Sequence, residues 1–372
     1  MTRSRKKKAT IRDVAELVGV HHSTVSRALS PDKRDKISPA VVKKVEKAAK
    51  KLGYYPNIVA SSLKRNRSFA VGVLVPDLMN PVFPPIIRGV QDTAEAVGYT
   101  VITANTDDDE RKELDALQMM QSRAIEGVII ATARRQDRTV EQCIEQDIPF
   151  VLVNRTVDRE GVNAVILDED HGIRSILDHL FSLKHTKIGH IAGPAHTSTG
   201  YHRAKAFSDY LRIHDLQSDL VETAEKFTVE EGRRAFGKLL ARDNSFSAIV
   251  AGNDLLALGC MDAMKEMGLL VPDSISLTGY DDILFLDRMN PALTTVSVPK
   301  YEMGSQATKT LLEINEPPRD RAMRVFRKIL ARDPTDAELQ AALDLVGPAP
   351  TPETWRLVVH GLLACNDFLF VD

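Results

Sequence analysis

Short apolar runs that alternate with amphipathic segments limit the folds open to this chain more than any other feature. Strands that alternate with helices predict parallel sheets, and runs this apolar suit strands buried on both faces. We therefore predict an α/β core of two lobes, each built on a parallel sheet. The predicted strands are 69–75, 99–104, 127–131, 150–153, 164–167, 188–192, 248–251 and 275–279, and the amphipathic segments are 84–97, 110–122, 171–183, 201–213, 229–241 and 255–267.

Charge divides the chain unevenly. Residues 1–67 hold 18 lysines and arginines against 5 acidic residues, whereas the other 305 residues hold 31 against 46. A basic segment on an acidic body predicts a polyanionic partner for that segment alone. The start lacks the apolar stretch of a secretory signal, and no run approaches the roughly 20 apolar residues that span a bilayer. With three widely spaced cysteines, this favours a protein of the reducing cytoplasm that contacts no membrane.

The basic segment has the pattern of three short helices. Thr10 predicts the cap of the first helix, and Gly19 stands where a helix end needs positive φ. A second helix is predicted over 22–29. A capping Ser38 followed by Pro39 predicts the start of a third. Two helices joined by a tight turn and braced by a third form a helix-turn-helix, which places its second helix in the DNA major groove.

The exposed side chains of that second helix are the expected readers of base sequence. Arg27 can donate two hydrogen bonds to guanine, while serine and histidine read bases more permissively. Arg12 and the lysines of the third helix would neutralise phosphates, which adds affinity without sequence information. A metal site at His21 and His22 is not expected, because adjacent helical residues do not face each other and no third ligand is near. The predicted readers are His22, Ser23, Ser26 and Arg27.

Three motifs give this region a specific resemblance. They are Thr10-Ile-Arg-Asp-Val-Ala-Glu-Leu-Val-Gly-Val20, Ser23-Thr-Val-Ser-Arg-Ala-Leu29 and Leu52-Gly-Tyr-Tyr-Pro-Asn-Ile-Val-Ala-Ser-Ser-Leu63. In order and spacing they resemble the LacI (lac repressor-like) family of bacterial transcription regulators. The resemblance adds Thr10 and Thr24 to the DNA contacts. It departs at His21, where the family has a serine or threonine that caps the recognition helix, so a weaker cap is expected.

A short segment after the third helix resembles the hinge of that family. Asn57 can cap a helix over residues 58–64, which is too short to be stable alone and should order only with DNA or a partner chain. The resemblance implies that paired hinge helices enter the minor groove, with contacts from Asn57 and Ala60. It also implies that Leu63 wedges between base pairs and kinks the DNA, although Leu63 alone could be an exposed linker leucine.

Polar residues follow several predicted strands of the core. Ligands of parallel sheets bind beyond the carboxyl ends of the strands, and Arg, Asn and Asp around a cleft suit a polyhydroxylated ligand. Any one of these residues could be only a loop residue or a helix cap, as Asp254 could be for the helix near 255. These polar groups are Asp77 and Asn80, Asn154 and Arg155, the segment 193–203, Asn253 and Asp254, and Tyr280 to Asp282.

The core also resembles the LacI-family core, which is similar to periplasmic sugar-binding proteins. The matching motifs are Pro76-Asp-Leu-Met-Asn-Pro-Val-Phe83, Gly200-Tyr-His-Arg203, Ala251-Gly-Asn-Asp254-Leu-Leu-Ala-Leu-Gly259, Val271-Pro-Asp-Ser-Ile-Ser-Leu-Thr-Gly-Tyr-Asp-Asp282 and Pro291-Ala-Leu-Thr-Thr-Val296. Carried over position by position, the resemblance implies that Arg203, Asn253 and Asp281 are the main effector contacts. Asn80, Phe83 and Arg155 are secondary contacts. Phe83 either stacks on the effector or closes the core.

The C-terminal part does not continue this pattern. The family follows its last helix with a strand that completes the core, but here Glu316-Pro-Pro318 leads into three amphipathic helices, the second beginning with the capping box Thr335-x-x-Glu338. From Arg324 onward, the segment resembles the C-terminal end of a planctomycete family of large secreted proteins of unknown function. We expect a fused or rearranged tail joined near 316–319, and an exposed sheet edge if the closing strand is missing.

These observations predict a cytoplasmic, homodimeric regulator that binds pseudo-palindromic operator DNA, is a repressor, and responds to a small effector such as a sugar. An alternative is a sugar-binding or sensing protein whose DNA regulation the altered C-terminus impairs. The basic segment disfavours a protein that only transports sugar. No nucleophile–base spacing, phosphate loop or metal motif suggests an enzyme, and no cofactor is expected. The predicted domains are 1–56 (helix-turn-helix), 57–67 (hinge), 68–316 (two-lobed core) and 317–372 (helical tail).

Overall fold

The computed structural model describes residues 9–29, 34–54, 67–216, 220–347 and 351–364. The chain forms two compact units that divide between Ser68 and Phe69. The first unit is the basic N-terminal part. The second contains the α/β core and the C-terminal helices.

The N-terminal unit is a three-helix structure. Its helices are α1 (Ile11–Val18), α2 (His22–Ala28) and α3 (Pro39–Leu52), with a 3₁₀ turn at Arg34–Lys36. Thr10 and Asp13 cap α1 reciprocally, and Gly19 ends it with φ 73°. Val14, Val25 and Val45, one from each helix, are fully buried together. α3 begins on Pro39, as predicted, but the predicted cap is wrong in one respect, because the side chain of Ser38 makes no capping hydrogen bond.

The first lobe of the core is a five-stranded parallel sheet in the order β2-β1-β3-β4-β5. The strands β1, β3 and β4 are apolar and largely buried because helices cover both faces, as parallel sheets require, whereas β2 is only partly buried. The core prediction of parallel sheets is confirmed here. Its elements are β1 (Ala70–Val75), α4 (Phe83–Glu95), β2 (Thr100–Asn105), α5 (Glu110–Ser122), β3 (Gly127–Ile130), α6 (Arg138–Glu145), β4 (Phe150–Val153) and β5 (Ala164–Val165), and α11 (Lys300–Ile314) returns to pack on it.

The second lobe is a four-stranded parallel sheet in the order β7-β6-β8-β9. The chain enters it after β5 and leaves it after β9, so the lobes are joined by segments that follow β5 and β9. Its elements are α7 (Glu169–Ser182), β6 (Ile188–Ala192), α8 (Ser198–Ile213), β7 (Val221–Thr223), α9 (Val229–Arg242), β8 (Ala248–Ala251), α10 (Asp254–Glu266) and β9 (Ser276–Thr278).

Two glycines allow α4 and α11 to cross at backbone distance. A Cβ at Gly89 would lie 2.0 Å from the carbonyl oxygen of Tyr301, and a Cβ at Gly304 would lie 2.0 Å from that of Ile86. No side chain larger than hydrogen fits at either place without moving a helix. The contact fastens the last helix of the core to the first lobe.

β7 and α6 of the core were absent from the predicted strands and amphipathic segments. β7 is only three residues long and reads Val-Glu-Thr, so it lacks the apolar run that marks the other strands. α6 is a short helix that begins after Asp137, whose side chain accepts a hydrogen bond from Val140 N at 3.0 Å. Contacts with neighbouring elements of the fold, rather than a strong local sequence pattern, determine both elements.

The C-terminal part forms three helices with their own apolar cluster. They are α12 (Pro318–Leu330), α13 (Asp336–Val346) and α14 (Pro352–Leu363). The predicted capping box of Thr335 and Glu338 is present. Phe326 and Trp355 lie in a cluster separate from that of the core. Arg324 pairs with Glu316 at 2.8 Å and ties α12 to the end of the core.

An exposed sheet edge was expected if the closing strand is missing, but the C-terminal end of β9, at the edge of the second sheet, is paired. Gly279 N donates to Thr294 O at 2.9 Å, and Asp281 N donates to Val296 O at 3.0 Å. The segment that leads into α11 therefore pairs with this end of the edge. A closing strand from the C-terminus is not what covers it.

Candidate functional site

The recognition surface predicted on α2 has three exposed side chains and two that are half-buried. His22, Ser26 and Arg27 are exposed, whereas Ser23 and Thr24 are half-buried. His21 caps the helix as predicted: its Nδ1 accepts a hydrogen bond from Ser23 N at 3.3 Å and lies 2.8 Å from Ser23 Oγ. Ser23 is thus engaged within the helix end, and the exposed members of the predicted set are His22, Ser26 and Arg27.

The other predicted DNA contacts are Thr10, the lysines of α3 and three residues that follow α3 in the sequence. Thr10 is exposed, but its hydroxyl belongs to the capping box of α1. The exposed face of α3 carries lysines, as predicted for phosphate contacts. Asn57, Ala60 and Leu63 lie outside the described residues. The exposed lysines of α3 are Lys43, Lys44, Lys47, Lys50 and Lys51.

The six predicted effector residues line one cleft between the two lobes. Asn80, Phe83 and Arg155 come from the strand exits of the first lobe, and Arg203, Asn253 and Asp281 come from the second. The cavity in this cleft has a volume of about 20 Å³, whereas sites for small molecules typically have about 300–1,000 Å³. The lobes are therefore closed on each other, and a ligand of sugar size requires them to part.

Arg203 is the centre of the site. Its Nε donates to Glu169 Oε2 at 2.6 Å, and its Nη1 donates to Gly252 O at 2.7 Å. Its Nη2 lies 3.3 Å from both Glu169 Oε1 and Asp281 Oδ1. The guanidinium also stacks 3.6 Å above the Tyr280 ring. Burial alone would lower the pKa of Arg203, but the carboxylates of Glu169 and Asp281 outweigh it and raise the pKa.

Asp281 is held in a strained conformation. Its φ is 111°, a region that side-chain-bearing residues rarely adopt. The backbone bond to Val296, the contact with Arg203 and a hydrogen bond from Lys300 Nζ to its carbonyl fix this conformation. Burial raises the pKa of Asp281 to about 7, although Arg203 opposes the shift. The carboxylate is thus placed in the cleft at a cost in backbone strain and desolvation.

Asn253 and Asp254 are adjacent residues with different structural roles, which the sequence did not distinguish. Asn253 is the cap of α10, since its Oδ1 accepts from Leu256 N at 2.9 Å. Asp254 is the first residue of the helix, and it accepts hydrogen bonds from Thr295 Oγ1 at 2.6 Å and Ile283 N at 3.0 Å. Burial raises the pKa of Asp254 to about 6. Asp254 therefore anchors the segment that joins the lobes, and the capping alternative considered for it is wrong.

Arg155 is buried on the opposite wall of the cleft. Its Nη1 lies 3.4 Å from both Asp108 Oδ1 and Thr132 O, and its Nε has no hydrogen-bond partner among the described residues. Burial lowers its pKa, and Asp108 opposes this. Arg155 therefore keeps a donor that a ligand could use. Phe83, 2 % exposed, packs in the apolar core and also borders the cleft.

A second cavity of about 570 Å³ lies between the segment after β4 and α8. Asn154 borders both cavities, and it is bent into the left-handed region with φ 68°. Sequence reasoning named Asn154 only as a strand-exit residue. It also missed Glu169 and Asp108, because an acidic residue at a helix start or in a loop is ordinarily a cap or a partner of the helix dipole. The other polar residues of this cavity include Asp168, Tyr201, His202 and Lys205.

The fold and the site define a class of protein: a regulator that joins a helix-turn-helix unit to a two-lobed core with a polar ligand cleft. Among the residues that the structure describes, no helix has the length and the apolar run needed to cross a membrane. The family described as "Bacterial regulatory proteins, lacI family" matches residues 10–57. The family described as "Periplasmic binding proteins and sugar binding domain of LacI family" matches residues 68–330. The chain belongs to the LacI family of bacterial transcription regulators.

Curated relatives are similar over most of their length. A ribose operon repressor of Halalkalibacterium halodurans is 33% identical over 328 residues, which are 88% of this chain and 97% of that protein. The transcriptional repressor CytR of Escherichia coli is 32% identical over 308 residues, 82% of this chain and 89% of that protein. Both are named as repressors, and neither is an enzyme by name.

Solved structures give the same fold. A lac repressor dimer bound to operator and the anti-inducer ONPF has a TM-score of 0.74 at 27% identity, over 83% of this chain and 93% of that chain. A complex of the regulator CelR with cellobiose has a TM-score of 0.63 at 27% identity, over 82% of this chain and 93% of that chain. The predicted fold class, a helix-turn-helix followed by a two-lobed α/β core, is confirmed.

Proposed function

We propose that this chain is a repressor that binds operator DNA through α2. Its affinity for the operator falls or rises when a sugar occupies the cleft. One observation carries the proposal: all six predicted effector residues, from widely separated parts of the sequence, line a single cleft. Relatives named as repressors of a ribose operon and a complex with cellobiose support the sugar class. The proposed residue roles follow from this placement.

On DNA, Arg27 reads guanine, with His22, Ser23, Thr24 and Ser26 beside it, and Thr10 and the lysines of α3 contact phosphates. Asn57, Ala60 and Leu63 are proposed as minor-groove contacts of the hinge. In the cleft, Arg203, Asn253 and Asp281 hold the effector hydroxyls, and Asn80, Phe83 and Arg155 contact it from the other lobe. The effector acts by favouring one arrangement of the lobes, since only differential binding shifts an equilibrium.

The active species is proposed to be a homodimer on a pseudo-palindromic operator. Leu284 and Phe285, adjacent on the segment that joins the lobes, are 73% and 66% exposed. Neighbouring apolar side chains of this size favour a contact with a second copy. Sedimentation of the wild type and of Leu284→Arg tests this: a dimer that becomes a monomer supports it, and a wild type that sediments only as a monomer contradicts it.

The regulator is tested by selecting bound sequences from a random duplex pool, with and without candidate sugars. An enriched pseudo-palindrome whose retention changes with one sugar is the expected result. A protein lacking residues 1–67 should retain no duplex at low salt. Enrichment of no sequence by the full chain, together with sugar binding, would instead favour the alternative of a sugar sensor impaired in DNA regulation.

The protein is further proposed to act in the cytoplasm without enzymatic activity. The tail α12–α14 is proposed to be an added helical module, related to the C-terminal end of the planctomycete family that it resembles. Its separate apolar cluster supports this. Shortening the chain after Asn315 should leave sugar binding intact if the tail is an addition, and should abolish it if the tail completes the core.

A further inference from the structure

Polar groups of the first lobe form a closed ring of contacts beside the cleft. Arg155 Nη1 lies 3.4 Å from both Asp108 Oδ1 and Thr132 O. Arg134 Nη2 donates to Asp108 O at 2.5 Å, and Arg134 Nη1 lies 3.4 Å from Glu113 Oε2. Thr132 Oγ1 donates to Glu113 Oε1 and closes the ring. Arg155 borders the cleft whereas Glu113 does not, so the ring connects the ligand site to a residue outside it.

Glu113 is a buried carboxyl group on α5 that changes its charge near neutral pH. It is 0% exposed. Burial, together with the negative charge of Asp137, raises the pKa of Glu113 to about 7. The titratable and charged groups that face it are Arg134 and Asp137 after β3, Cys143 of α6 and Arg155 after β4. Arg134 is the cation that pairs with it, so a change in the charge of Glu113 acts first on Arg134.

Arg134 lies between two carboxylates of the ring. Its guanidinium is 3.4 Å from Glu113 and 3.9 Å from Asp108, while Asp108 is 3.4 Å from Arg155. When Glu113 is ionised, each guanidinium has a carboxylate of its own. When Glu113 takes up a proton, Arg134 and Arg155 compete for Asp108, and the charge of Arg134 also repels Arg155. Asp108 then orients Arg155 less firmly.

We propose that Glu113 is a positioning residue for the effector site: in its ionised form it engages Arg134 and leaves Asp108 to orient Arg155, so protonation of Glu113 weakens effector binding. The inference rests on the proposed function of the cleft and adds control of that site by pH. Arg155 offers the ligand its Nε, which has no hydrogen-bond partner among the described residues. A donor that is fixed before the ligand arrives loses less conformational freedom on binding, so the affinity is higher when the ring holds Arg155.

The first test measures the binding of ribose and of cellobiose by calorimetry at pH 8 and pH 6. The proteins are the full-length wild type, Glu113→Gln, which keeps an acceptor for Thr132 but no charge, and Asp115→Asn. Asp115 is an exposed acid on the same helix, so Asp115→Asn is the matched control. At pH 8, Glu113→Gln should bind about five-fold more weakly than the wild type, at the lower end of coupling between linked sites. At pH 6 the two affinities should nearly coincide, and Asp115→Asn should match the wild type at both pH values.

The pH dependence separates positioning from a purely structural role, which would weaken Glu113→Gln by the same factor at both pH values. Asp254, Asp281 and His196 also lie near the cleft, but all three proteins contain them, so their effects cancel in the comparison. A ligand that prefers ionised Glu113 also expels its proton on binding, because linkage is reciprocal. Heats measured at pH 7 in buffers of different ionisation enthalpy should therefore show that the wild type releases more protons than Glu113→Gln.

The orientation of Arg155 is tested without a ligand by the NMR signal of its Nε–H group, assigned with Arg155→Lys. The signal should shift with a midpoint at the pKa of Glu113, about 7, in the wild type and in Asp115→Asn. The shift should be lost in Glu113→Gln and in Arg134→Gln, which removes the guanidinium that Glu113 engages. The proposal is overturned if the affinity ratio of wild type to Glu113→Gln is the same at both pH values, or if the signal shifts fully in either variant. A wild type that binds neither sugar counts against the proposed function of the cleft, and the NMR comparison still decides the role of Glu113.

Discussion

The guanidinium of Arg135 lies 3.6 Å above the ring of Tyr201, and so joins the segment after β3 in the first lobe to α8 in the second. Arg135 also bonds Asp158 at 2.8 Å, and its backbone N donates to His196 O at 2.9 Å. Nearby, Thr156 N donates to Ser198 Oγ at 2.9 Å. These contacts keep the two lobes closed at one side of the cleft.

Arg135→Ala should loosen this contact and lower the free energy of unfolding by about 1 kcal/mol, because a stacked, partly exposed cation contributes about that much. Small-angle scattering should show a larger radius of gyration as the lobes part. Arg138→Ala removes a similar charge nearby, but its side chain is 74% exposed and lies 3.6 Å from Glu110. Arg138→Ala should change neither quantity. Equal changes in both variants would contradict the role of Arg135.

Arg27→Ala should weaken binding to the selected operator by about 1–3 kcal/mol, because a bidentate contact with guanine contributes that much discrimination. Binding to random duplex should change little. Lys43→Ala, an exposed lysine of α3, should weaken operator and random duplex alike and reduce the salt dependence. Fluorescence anisotropy across a salt series separates the two patterns. If Arg27→Ala weakens binding to random DNA as much as binding to the operator, Arg27 does not read a base.

Gly304→Ala should destabilise the protein by about 1–3 kcal/mol, the usual range for overpacking. A Cβ there would lie 2.0 Å from the backbone oxygen of Ile86, so α4 and α11 must separate. Gly237→Ala is the control, because a Cβ at Gly237 of α9 has nothing within 4 Å. Gly237→Ala should raise the free energy of unfolding by about 0.5–1 kcal/mol, because alanine has a higher helix propensity than glycine. Urea unfolding followed by circular dichroism measures both, and similar values for the two would show that the helices do not touch at Gly304.

His190 should make stability fall in mild acid. Burial lowers its pKa from 6.5 to about 4; Nδ1 lies 2.7 Å from Val250 O, and Nε2 has no partner among the described residues. Below pH 6.5 the unfolded chain binds a proton that the folded protein refuses, so stability is full above that pH and is lost as the pH falls toward 4. Between pH 7 and 5 the wild type should lose about 2 kcal/mol more than His190→Gln, which does not titrate there.

The comparison with His190→Gln also removes the effect of the buried acids. Burial raises the pKa of Glu113 and Asp281 to about 7 and that of Asp254 to about 6. Protonation of these acids makes the folded protein more stable as the pH falls, which opposes the effect of His190. The acids are present in both proteins, so their effect cancels in the comparison. Parallel pH profiles for the two proteins in urea unfolding would rule out the proposed cost of protonating His190.

Trp355 should report the unfolding of the tail alone, since it is the sole tryptophan of the chain and lies in the apolar cluster of α12–α14. A cluster this small has little stability of its own. Its fluorescence midpoint in urea should come before the midpoint from circular dichroism, to which the larger core contributes most. Phe326→Ala should move only the fluorescence transition. Coincident midpoints in the wild type would mean that tail and core unfold as one unit.

Most of the fold followed from local pattern, because buried parallel strands are apolar throughout and helices carry caps. β4, β6 and β8 were predicted at their observed bounds. β7 was not, because a polar edge strand of three residues is defined by its pairing with β6 rather than by its own sequence. Long-range hydrogen bonding, not propensity, decides such elements.

The site was predictable where a motif marked it. Arg203, Asn253 and Asp281 stand in recognisable segments after strands, so their meeting in one cleft could be anticipated. Glu169 could not be, since it lies 34 positions before Arg203 and its pairing depends on how α7 and α8 pack. Asp108 pairs with Arg155 across 47 positions for the same reason. Partners of a buried charge are chosen by tertiary structure.

The pairing of Thr294 and Val296 with the end of β9 has a consequence for inheritance. Thr294 and Val296 precede α11 in the sequence. The residues that pair with the end of β9 therefore come before Glu316 in the chain. Whatever follows that point can be exchanged by recombination without leaving this end of β9 unpaired. The residues that pair with the end of β9 are therefore present whichever segment follows Glu316.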